Sequence, residues 1–282
     1  MGLGDLTRVN SNLQAMSALN TLQGTNDQLG IRQLRLATGS RLNRAEDDSA
    51  GYTISKKLEA RVRGQAQALA NIGDAKSMLT VAEGSLNTIM DILQTMKEKT
   101  VQAANDTMGT AERTAIKNEL DALSTEIEDI IADTTFNGTA LFGSSSTSFS
   151  YQVNAESGDT LSVSLGTVAL GSTGGAISVG SDSLQVSSAS SAGTTLSNVD
   201  SAIATVAERL SSLGDYQKRL TFKQENLTTS MNNYEAARSR IADADFAKEQ
   251  MQIVKLQILQ QTGTASLAQA NAAPQSVLSL VG

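Results

Sequence analysis

Apolar residues recur at alternating intervals of three and four positions over long stretches of this chain, and no other feature of the sequence restricts its fold as strongly. One stretch ends at Met96, a second runs from Ile116 to Ile130, and a third runs from Leu196 to Ile241. This spacing places one apolar seam along each helix, and helices with such seams pack along their length as coiled coils. The residues of the first seam are Ile72, Ala75, Leu79, Ala82, Leu86, Ile89, Leu93 and Met96.

The third helix alone would extend about 70 Å at roughly 1.5 Å per residue, which is too long for a globular domain of this size. The single proline of the chain, Pro274, lies beyond all three stretches, so no proline interrupts these helices. A turn at 106–110 would fold the second helix back on the first, and the third would return beside both. The sequence therefore predicts a mainly α fold: a long antiparallel helical coiled-coil rod built from both termini, with a small β-rich outer domain inserted in the middle.

The middle of the chain, residues 143–195, is dominated by Ser, Thr and Gly and contains neither Lys nor Arg. Apolar and polar residues alternate there at Phe149–Val153, Leu161–Leu165 and Ala176–Val179, and a period of two indicates strands. A flexible Ser/Gly linker is the alternative interpretation. We favour a small β module because linkers seldom alternate so regularly, and we expect it at an exposed tip where the chain turns around.

The residue types that are absent exclude several functions. The 282 residues include no Cys and no His, which rules out disulfides, thiolate metal sites and histidine-dependent zinc or acid–base chemistry. A formal net charge of −7 argues against nucleic-acid binding. The acidic groups Glu46–Asp48 and Asp243 with Asp245 are interpreted as solvated helix starts, not as a metal site. No nucleophile is paired with a base, so we predict no enzyme activity, no cofactor and no metal.

Membrane insertion and signal-directed export are also not indicated. The sequence has no run of 18 consecutive apolar residues, which a membrane-spanning helix would need. Residues Met1–Asp5 lack the basic and apolar regions of a cleavable signal peptide. We therefore expect no contact with membranes and no cleaved signal.

Both ends of the chain carry an amphipathic helix whose apolar stripe has only the other helix to cover it. Such surplus apolar surface seeks partners, so we predict self-association. An ordinary extension of the bundle is one alternative; a membrane-surface helix is another, but it would need a basic polar face and aromatic anchors. The polymerisation residues predicted from this pattern are Leu3, Leu6, Val9, Leu13, Met16, Met251, Val254, Ile258, Leu259 and Leu267.

Four segments, in order along the chain, resemble signatures of bacterial flagellin, the subunit of the flagellar filament. The resemblance covers 1–142 and 196–282, and it adds Val277, Leu278 and Leu280 to the polymerisation residues because the last segment resembles the family's terminal polymerising helix. The four segments are Thr38–Gly51, Phe136–Phe142, Ser239–Ala247, and Gln257–Gln261 with Ala268–Leu280. Two features depart from the family pattern: the start Met1–Asp5 is unusual, and Ser40 replaces a commonly apolar residue.

The resemblance implies a structural subunit that self-assembles into the extracellular filament used for swimming. It would be exported unfolded by the flagellar type III secretion apparatus, and its partners would be other copies of itself, the cap and hook–filament junction proteins, and a cytoplasmic export chaperone. Three layers are implied: an inner core (1–40 and 245–282), a helical rod (41–142 and 196–244) and a variable outer domain (143–195). The alternatives are a hook–filament junction protein of the same axial family, a secreted helical membrane translocator, and an enzymatic middle domain.

The resemblance also points to a segment that the flagellin-sensing Toll-like receptor of animals reads. Thr95 and Lys99 stand where receptor-active flagellins usually carry Arg and Leu. The loss of a planar multidentate donor and of an apolar contact predicts only weak receptor contact. The residues of this segment are Gln94, Thr95, Glu98, Lys99, Gln102 and Glu119.

Overall fold

Five long helices account for most of the fold in the computed structural model, which describes residues 11–143, 147–169 and 177–281, with side chains except at 147 and 273–281. The helices are α1 (Leu13–Thr38), α2 (Ser49–Ala103), α3 (Thr110–Asp133), α4 (Ala189–Ala242) and α5 (Phe246–Val281). The strands are β1 (Thr135–Phe136), β2 (Thr139–Ala140), β3 (Thr147–Gln152) and β4 (Thr160–Gly166), followed by a short 3-10 helix at Ser181–Ser183. The predicted mainly α fold with strands in its middle is confirmed.

The chain forms two compact units, one of residues 61–232 and one of Met1–Ala60 with Asn233–Gly282. In the first unit, α2 and α4 run antiparallel: as the residue number in α2 increases, the residue number of its partner in α4 decreases. Three side-chain pairs along the two helices show this order. They are Gln65 with Ser230 at 3.1 Å, Glu83 with Gln217 at 2.7 Å, and Lys97 with Asp200 at 2.7 Å.

Helix α3 also runs antiparallel to α2. Lys99 Nζ lies 2.7 Å from Glu119 Oε1 near the turn, and the Thr134 hydroxyl lies 2.9 Å from that of Ser85 at the other end. The turn between α2 and α3 falls where the sequence predicts it. The guanidinium of buried Arg113 closes this turn by donating to the main-chain carbonyl of Asn105 at 3.0 Å.

The first apolar seam lies in the core of this unit. Ile72, Leu86 and Leu93 are 0% exposed, and they share one hydrophobic cluster with residues of α3 and α4. Burial of a Leu or Ile side chain contributes roughly 1.5–3 kcal/mol, so this seam supplies much of the unit's stability. The antiparallel packing of heptad helices that the sequence predicts is confirmed.

A tight hairpin follows α3. Strands β1 and β2 pair antiparallel, with Phe136 opposite Thr139, so Asn137 and Gly138 form a two-residue turn. Their φ angles are +50° and +76°. A type I′ turn needs a positive φ at both central positions, and Asn-Gly provides it with little strain.

Strands β3 and β4 form a second antiparallel hairpin, with Phe149 opposite Val163. Leu161, Val163 and Leu165 are buried, and the intervening residues of β4 are exposed. The strands predicted at Phe149–Val153 and Leu161–Leu165 are confirmed, and the flexible-linker alternative is wrong for these residues. In the third alternating run, Ala176 lies outside the described residues, and the Ile177 amide donates to the Ala169 carbonyl at 3.2 Å.

The hairpin is part of the helical core. The Tyr151 hydroxyl lies 2.9 Å from Met78 Sδ of α2, and Asn71 of α2 donates to the Gln152 carbonyl at 3.1 Å. The buried residues of β4 belong to the same hydrophobic cluster as α2, α3 and α4. The expectation of an exposed tip is therefore wrong for the apolar side of the hairpin. An isolated two-stranded hairpin is marginally stable in water, and packing on the helices supplies the missing burial.

In the other unit, α1 and α5 pair antiparallel. Asn12, the N-cap of α1, donates from its side chain to the Ala270 carbonyl at 2.7 Å. Asn26 accepts from Gln260 at 2.8 Å, and Arg32 Nη1 lies 3.0 Å from Glu249 Oε1. The pair therefore stays in contact along nearly the whole described length of α1.

Candidate assembly surface

A regular seam joins α5 to α1. Its positions on α5 are spaced by alternating intervals of four and three, and all are buried or half-buried. They are Glu249, Ile253, Leu256, Gln260, Gly263, Leu267 and Ala270. On α1 the half-buried positions follow nearly the same spacing, yet no described residue of α1 is fully buried. The pairing therefore covers only one side of each helix.

Each helix carries a second apolar stripe on the side away from the seam. At about 100° per residue, Leu13, Met16 and Leu34 lie on the side of α1 opposite its half-buried positions. Met251, Val254 and Ile258 do the same on α5. These six side chains are between 38% and 67% exposed. We call the two sets together the outer stripes.

Most predicted polymerisation residues within the described side chains lie on this exposed surface. Leu13, Met16, Met251, Val254 and Ile258 belong to the outer stripes, and Leu259 beside them is 46% exposed. Leu267 differs, since it lies half-buried in the seam.

The other six predicted positions are not among the described side chains. Leu3, Leu6 and Val9 lie outside the described residues, and Val277, Leu278 and Leu280 lie where only the backbone of α5 is described.

Further exposed apolar residues of this unit were not predicted from the sequence, among them Ile31, Leu34 and Phe246. Ile31 and Leu34 repeat the spacing of Leu13 and Met16 after the segment 20–30, where the only large apolar residues, Leu22 and Leu29, are half-buried. Phe246 is the first residue of α5 and carries no periodic signal of its own.

Two of the signature segments pair through their backbones. The Arg41 amide donates to the Ala242 carbonyl at 2.6 Å, and the Ala244 amide donates to the Gly39 carbonyl at 2.9 Å. Gly39 ends α1 in the left-handed conformation with φ +67°. Ser40 has its hydroxyl 3.0 Å from the Ala242 carbonyl, so this departure from the family pattern adds a hydrogen bond. The α1–α2 connection is thereby fixed to the α4–α5 connection.

An ionic cluster supports these connections. Both oxygens of Glu249 accept from Arg32, at 3.0 and 3.1 Å, and Arg35 lies 3.7 Å from Asp47. Asp47 also accepts the amides of Arg44 and Asn43, each at 3.1 Å. The amide of Arg44 is the largest cause that lowers the pKa of Asp47 below its usual value. Asp47 is thus held as a charged acceptor in the connection.

The acidic groups singled out in the sequence begin helices. Asp48 accepts the Gly51 amide at 3.0 Å at the start of α2, and Asp245 accepts the Lys248 amide at 3.1 Å at the start of α5. Within the described ranges, no group of three or more acidic residues is placed to hold a metal ion. A cleft of about 380 Å³ lies beside this cluster and is lined by both signs of charge, including Arg41 and Lys248.

The receptor-like segment lies on α2 with its neighbour on α3. Gln94, Thr95 and Glu98 are exposed along one side of α2, and Gln102 is exposed one turn further on. Lys99 is half-buried and is held by its ion pair with Glu119. Its ammonium group therefore already has a partner within the chain.

Two family models match the ends of the chain: the bacterial flagellin N-terminal helical region at residues 9–147 and the bacterial flagellin C-terminal helical region at residues 196–281. The chain belongs to the bacterial flagellin family. A flagellin from Halalkalibacterium halodurans is 37% identical over 97% of this chain and 99% of its own length. The flagellar filament 33 kDa core protein of Treponema phagedenis is 34% identical over the same shares of the two chains. Flagellins are structural proteins and not enzymes, so membership confirms the prediction of no enzyme activity.

A solved structure shares the fold of this flagellin family member. It is described as a putative flagellar hook-associated protein from Vibrio parahaemolyticus, and it matches 70% of this chain and 100% of its own with a TM-score of 0.59. The two sequences are 16% identical, so this likeness concerns the fold alone. In the part of the chain that the structure describes, no helix is both long and apolar enough to cross a membrane.

Proposed function

We propose that this protein is the structural subunit of a bacterial flagellar filament and polymerises through α1 and α5. The outer stripes carry this proposal. Apolar side chains on the outward side of both helices do not stabilise the monomer, because they remain in contact with water. Such exposed apolar patches mark interaction surfaces. Open helical polymers form when unlike surfaces of identical subunits meet without closing a ring.

The relatives support the same conclusion. One is named a flagellar filament core protein, and the match extends over nearly its whole length. The junction-protein alternative has no comparable support, since the hook-associated structure is related by fold alone. The relatives therefore favour a filament subunit over a junction protein.

The proposal assigns each region a place in the filament. Residues 1–40 and 245–282 form the inner core, 41–142 and 196–244 form the surrounding helical layer, and 143–195 faces outward. The subunit is exported unfolded by the flagellar secretion apparatus, with a chaperone covering α5 beforehand, and it assembles outside the cell beneath a cap. These assignments rest on family membership together with the exposure of α1 and α5.

Seeded polymerisation of purified monomer tests the proposal. Full-length protein and a variant trimmed of residues 1–40 and 245–282 are mixed with filament fragments and followed by electron microscopy. Full-length protein is expected to lengthen the fragments, while the trimmed variant stays monomeric. Filaments grown equally well by the trimmed variant would refute assembly through α1 and α5. Full-length protein that never elongates seeds would favour a junction protein that needs another partner.

Receptor contact is proposed to be weak. Thr95 is short, and Lys99 is engaged by Glu119, so neither offers the planar donor or the apolar contact that strong activators supply. The variant Thr95→Arg with Lys99→Leu is expected to raise the response of receptor-expressing reporter cells above that of the natural chain. An unchanged response would show that other positions limit recognition.

A further inference from the structure

Helix α4 presents an exposed aromatic ring among positive charges. Phe222 is 58% exposed, and the segment 216–224 around it contains three cations and no acidic residue. Lys218 Nζ lies 6.0 Å from the centre of the Phe222 ring, within reach of a cation–π interaction. We call Lys218, Arg219, Phe222 and Lys223 the Phe222 patch.

Among the described residues, the cations of this patch have no carboxylate partners. In residues 11–143, 147–169 and 177–281, none of Lys218, Arg219 and Lys223 forms an ion pair. Arg219 is instead placed over the ring of Tyr216, 5.7 Å from its centre. An exposed ring flanked by unpaired cations fits a partner surface that combines carboxylates with small side chains.

Helix α3 carries such a surface on its outward side. One row of exposed positions on this side alternates by three and four residues and contains only acidic residues and alanine, while Asn118 and Thr125 lie beside it. We call this row the acidic seam: Glu112, Ala115, Glu119, Ala122, Glu126, Asp129 and Asp133. The opposite side of α3 is buried in the core of the unit.

Most carboxylates of the acidic seam are available for ion pairs with another molecule. Among the ion pairs of the described residues, only Glu119 of the seam takes part, through Lys99. Glu126, Asp129 and Asp133 are successive positions of the seam, and none of them forms an ion pair with a described residue. Ala122 beside them is exposed and carries only a methyl group.

We propose that the Phe222 patch of one copy of this chain docks on the acidic seam of the next copy. The ring lies against the alanines, and the cations meet Glu126, Asp129 and Asp133. The patch covers about one and a half turns of α4, and Glu126 to Asp133 cover about two turns of α3, so the two surfaces are of similar length. The contact joins unlike surfaces of identical chains, as an open helical assembly requires, and it rests on the proposed filament function.

A second copy fits the patch better than a polyanion does. The chain has a net charge of −7, and eleven acidic residues with no basic one lie between Lys117 and Arg209. This overall field repels nucleic acid and anionic lipid. A neighbouring subunit presents its seam at high local concentration, where pairs too weak to act alone become effective.

Cross-linking between copies tests whether the Phe222 patch lies against the acidic seam of the next copy. Because the chain has no cysteine, a cysteine-specific reagent reacts only at the introduced positions. A variant with Asn226→Cys, one turn from Phe222, and Ala122→Cys is polymerised on seeds and treated with a short bismaleimide. We expect a ladder of covalent oligomers on a denaturing gel. The control pairs Asn226→Cys with Glu128→Cys, which lies on α3 away from the seam, and is expected to give no ladder. A missing ladder in the test variant, or an equal one in the control, overturns the proposal.

Charge reversal tests the energetics. Lys218, Arg219 and Lys223 are changed to Glu in one variant, and Glu126, Asp129 and Asp133 to Lys in another. Each is expected to slow seeded elongation at low salt roughly tenfold, and the variant with both sets is expected to recover to within about threefold of the natural chain. The matched control, Asp91, Glu98 and Glu128 changed to Lys, is expected to change the rate by less than about threefold.

The outcomes separate this inference from the proposed function. Slow single reversals that the combined variant does not rescue overturn the contact, and so do reversals without effect. In both cases the natural chain still elongates seeds, and the filament function stands. If the natural chain fails to elongate them, the filament function fails and this contact fails with it.

Discussion

The α1–α5 pair and the helices of residues 61–232 share the same three-and-four spacing but bury it to different extents. Ile72, Leu86 and Leu93 of α2 are fully buried within their own chain, whereas α1 has no fully buried residue in its described length. Outward positions on α2 and α3 are mainly polar, while those on α1 and α5 include Met16 and Ile258. The comparison shows that spacing specifies a helix seam, and that the residues between seam positions decide whether the helix needs partners outside its chain.

The largest effect is expected when one outer-stripe residue is replaced by a charged residue. Ile258→Asp is expected to slow seeded elongation roughly 100-fold or more, because an apolar contact is lost and a carboxylate must be desolvated. Unfolding of the monomer is expected to change by less than about 0.5 kcal/mol, because the side chain is 58% exposed. Electron microscopy gives the first quantity and urea unfolding the second. Gln257→Asp, at an exposed position beside the stripe, is the control, and an equal effect there would remove the special role of the stripe.

The opposite pattern is expected in the core of the other unit. Leu86→Ala should lower the free energy of unfolding by about 2–5 kcal/mol, since it leaves a cavity at a fully buried site. Urea unfolding followed by circular dichroism measures this loss. Val81→Ala, at a 41% exposed position of the same helix, should cost less than about 1 kcal/mol. A similar cost at both positions would contradict the burial described for α2.

The connection between α1 and α2 responds to pH through Asp47. Its pKa is lowered in the folded chain, so the unfolded chain binds more protons in the acid range and stability rises with pH there. The contribution is fully present above the ordinary pKa of an aspartate, about 4, and is lost as pH falls through the folded-state value. Asp47→Asn should therefore cost about 1–3 kcal/mol near neutral pH and progressively less below about pH 4.

Unfolding curves between neutral and acidic pH measure this difference. Glu46→Gln is the control, because the Glu46 side chain is 71% exposed and forms only a surface ion pair with Arg44. A cost for Asp47→Asn that did not shrink on acidification would rule out the charged acceptor role.

The smallest effects concern two glycines of the α1 region. Gly39→Ala places a side chain at φ +67°, which costs about 1–2 kcal/mol. Gly24→Ala lies inside α1 with no atom near its new methyl group, and should stabilise the helix by about 0.5–1 kcal/mol. Opposite signs in urea unfolding are expected, and equal signs would contradict the described end of α1.

The burial of the heptad positions from Ile72 to Met96 could be predicted from the sequence. A long apolar seam on a helix is stable in water only when other helices cover it. The outer stripes are harder to predict, since Leu22 and Leu19 look alike in sequence while one is half-buried and the other exposed. Which stripe faces the partner helix depends on contacts between distant residues, such as the ion pair of Arg32 with Glu249 across 217 positions. The placement of the β3–β4 hairpin on α2 also depends on distant contacts, such as Tyr151 with Met78, that leave no periodic trace.

The pairing of α1 with α5 has a consequence for when the chain can fold. The contacts between them join residues more than 210 positions apart, such as Arg35 with Glu249 and Asn12 with Ala270, so α1 stays uncovered until almost the whole chain has been synthesised. Contacts of such long range form slowly because a large loop must close before they contribute. The helices of residues 61–232 can compact first, and α1 and α5 are the last helices to pair.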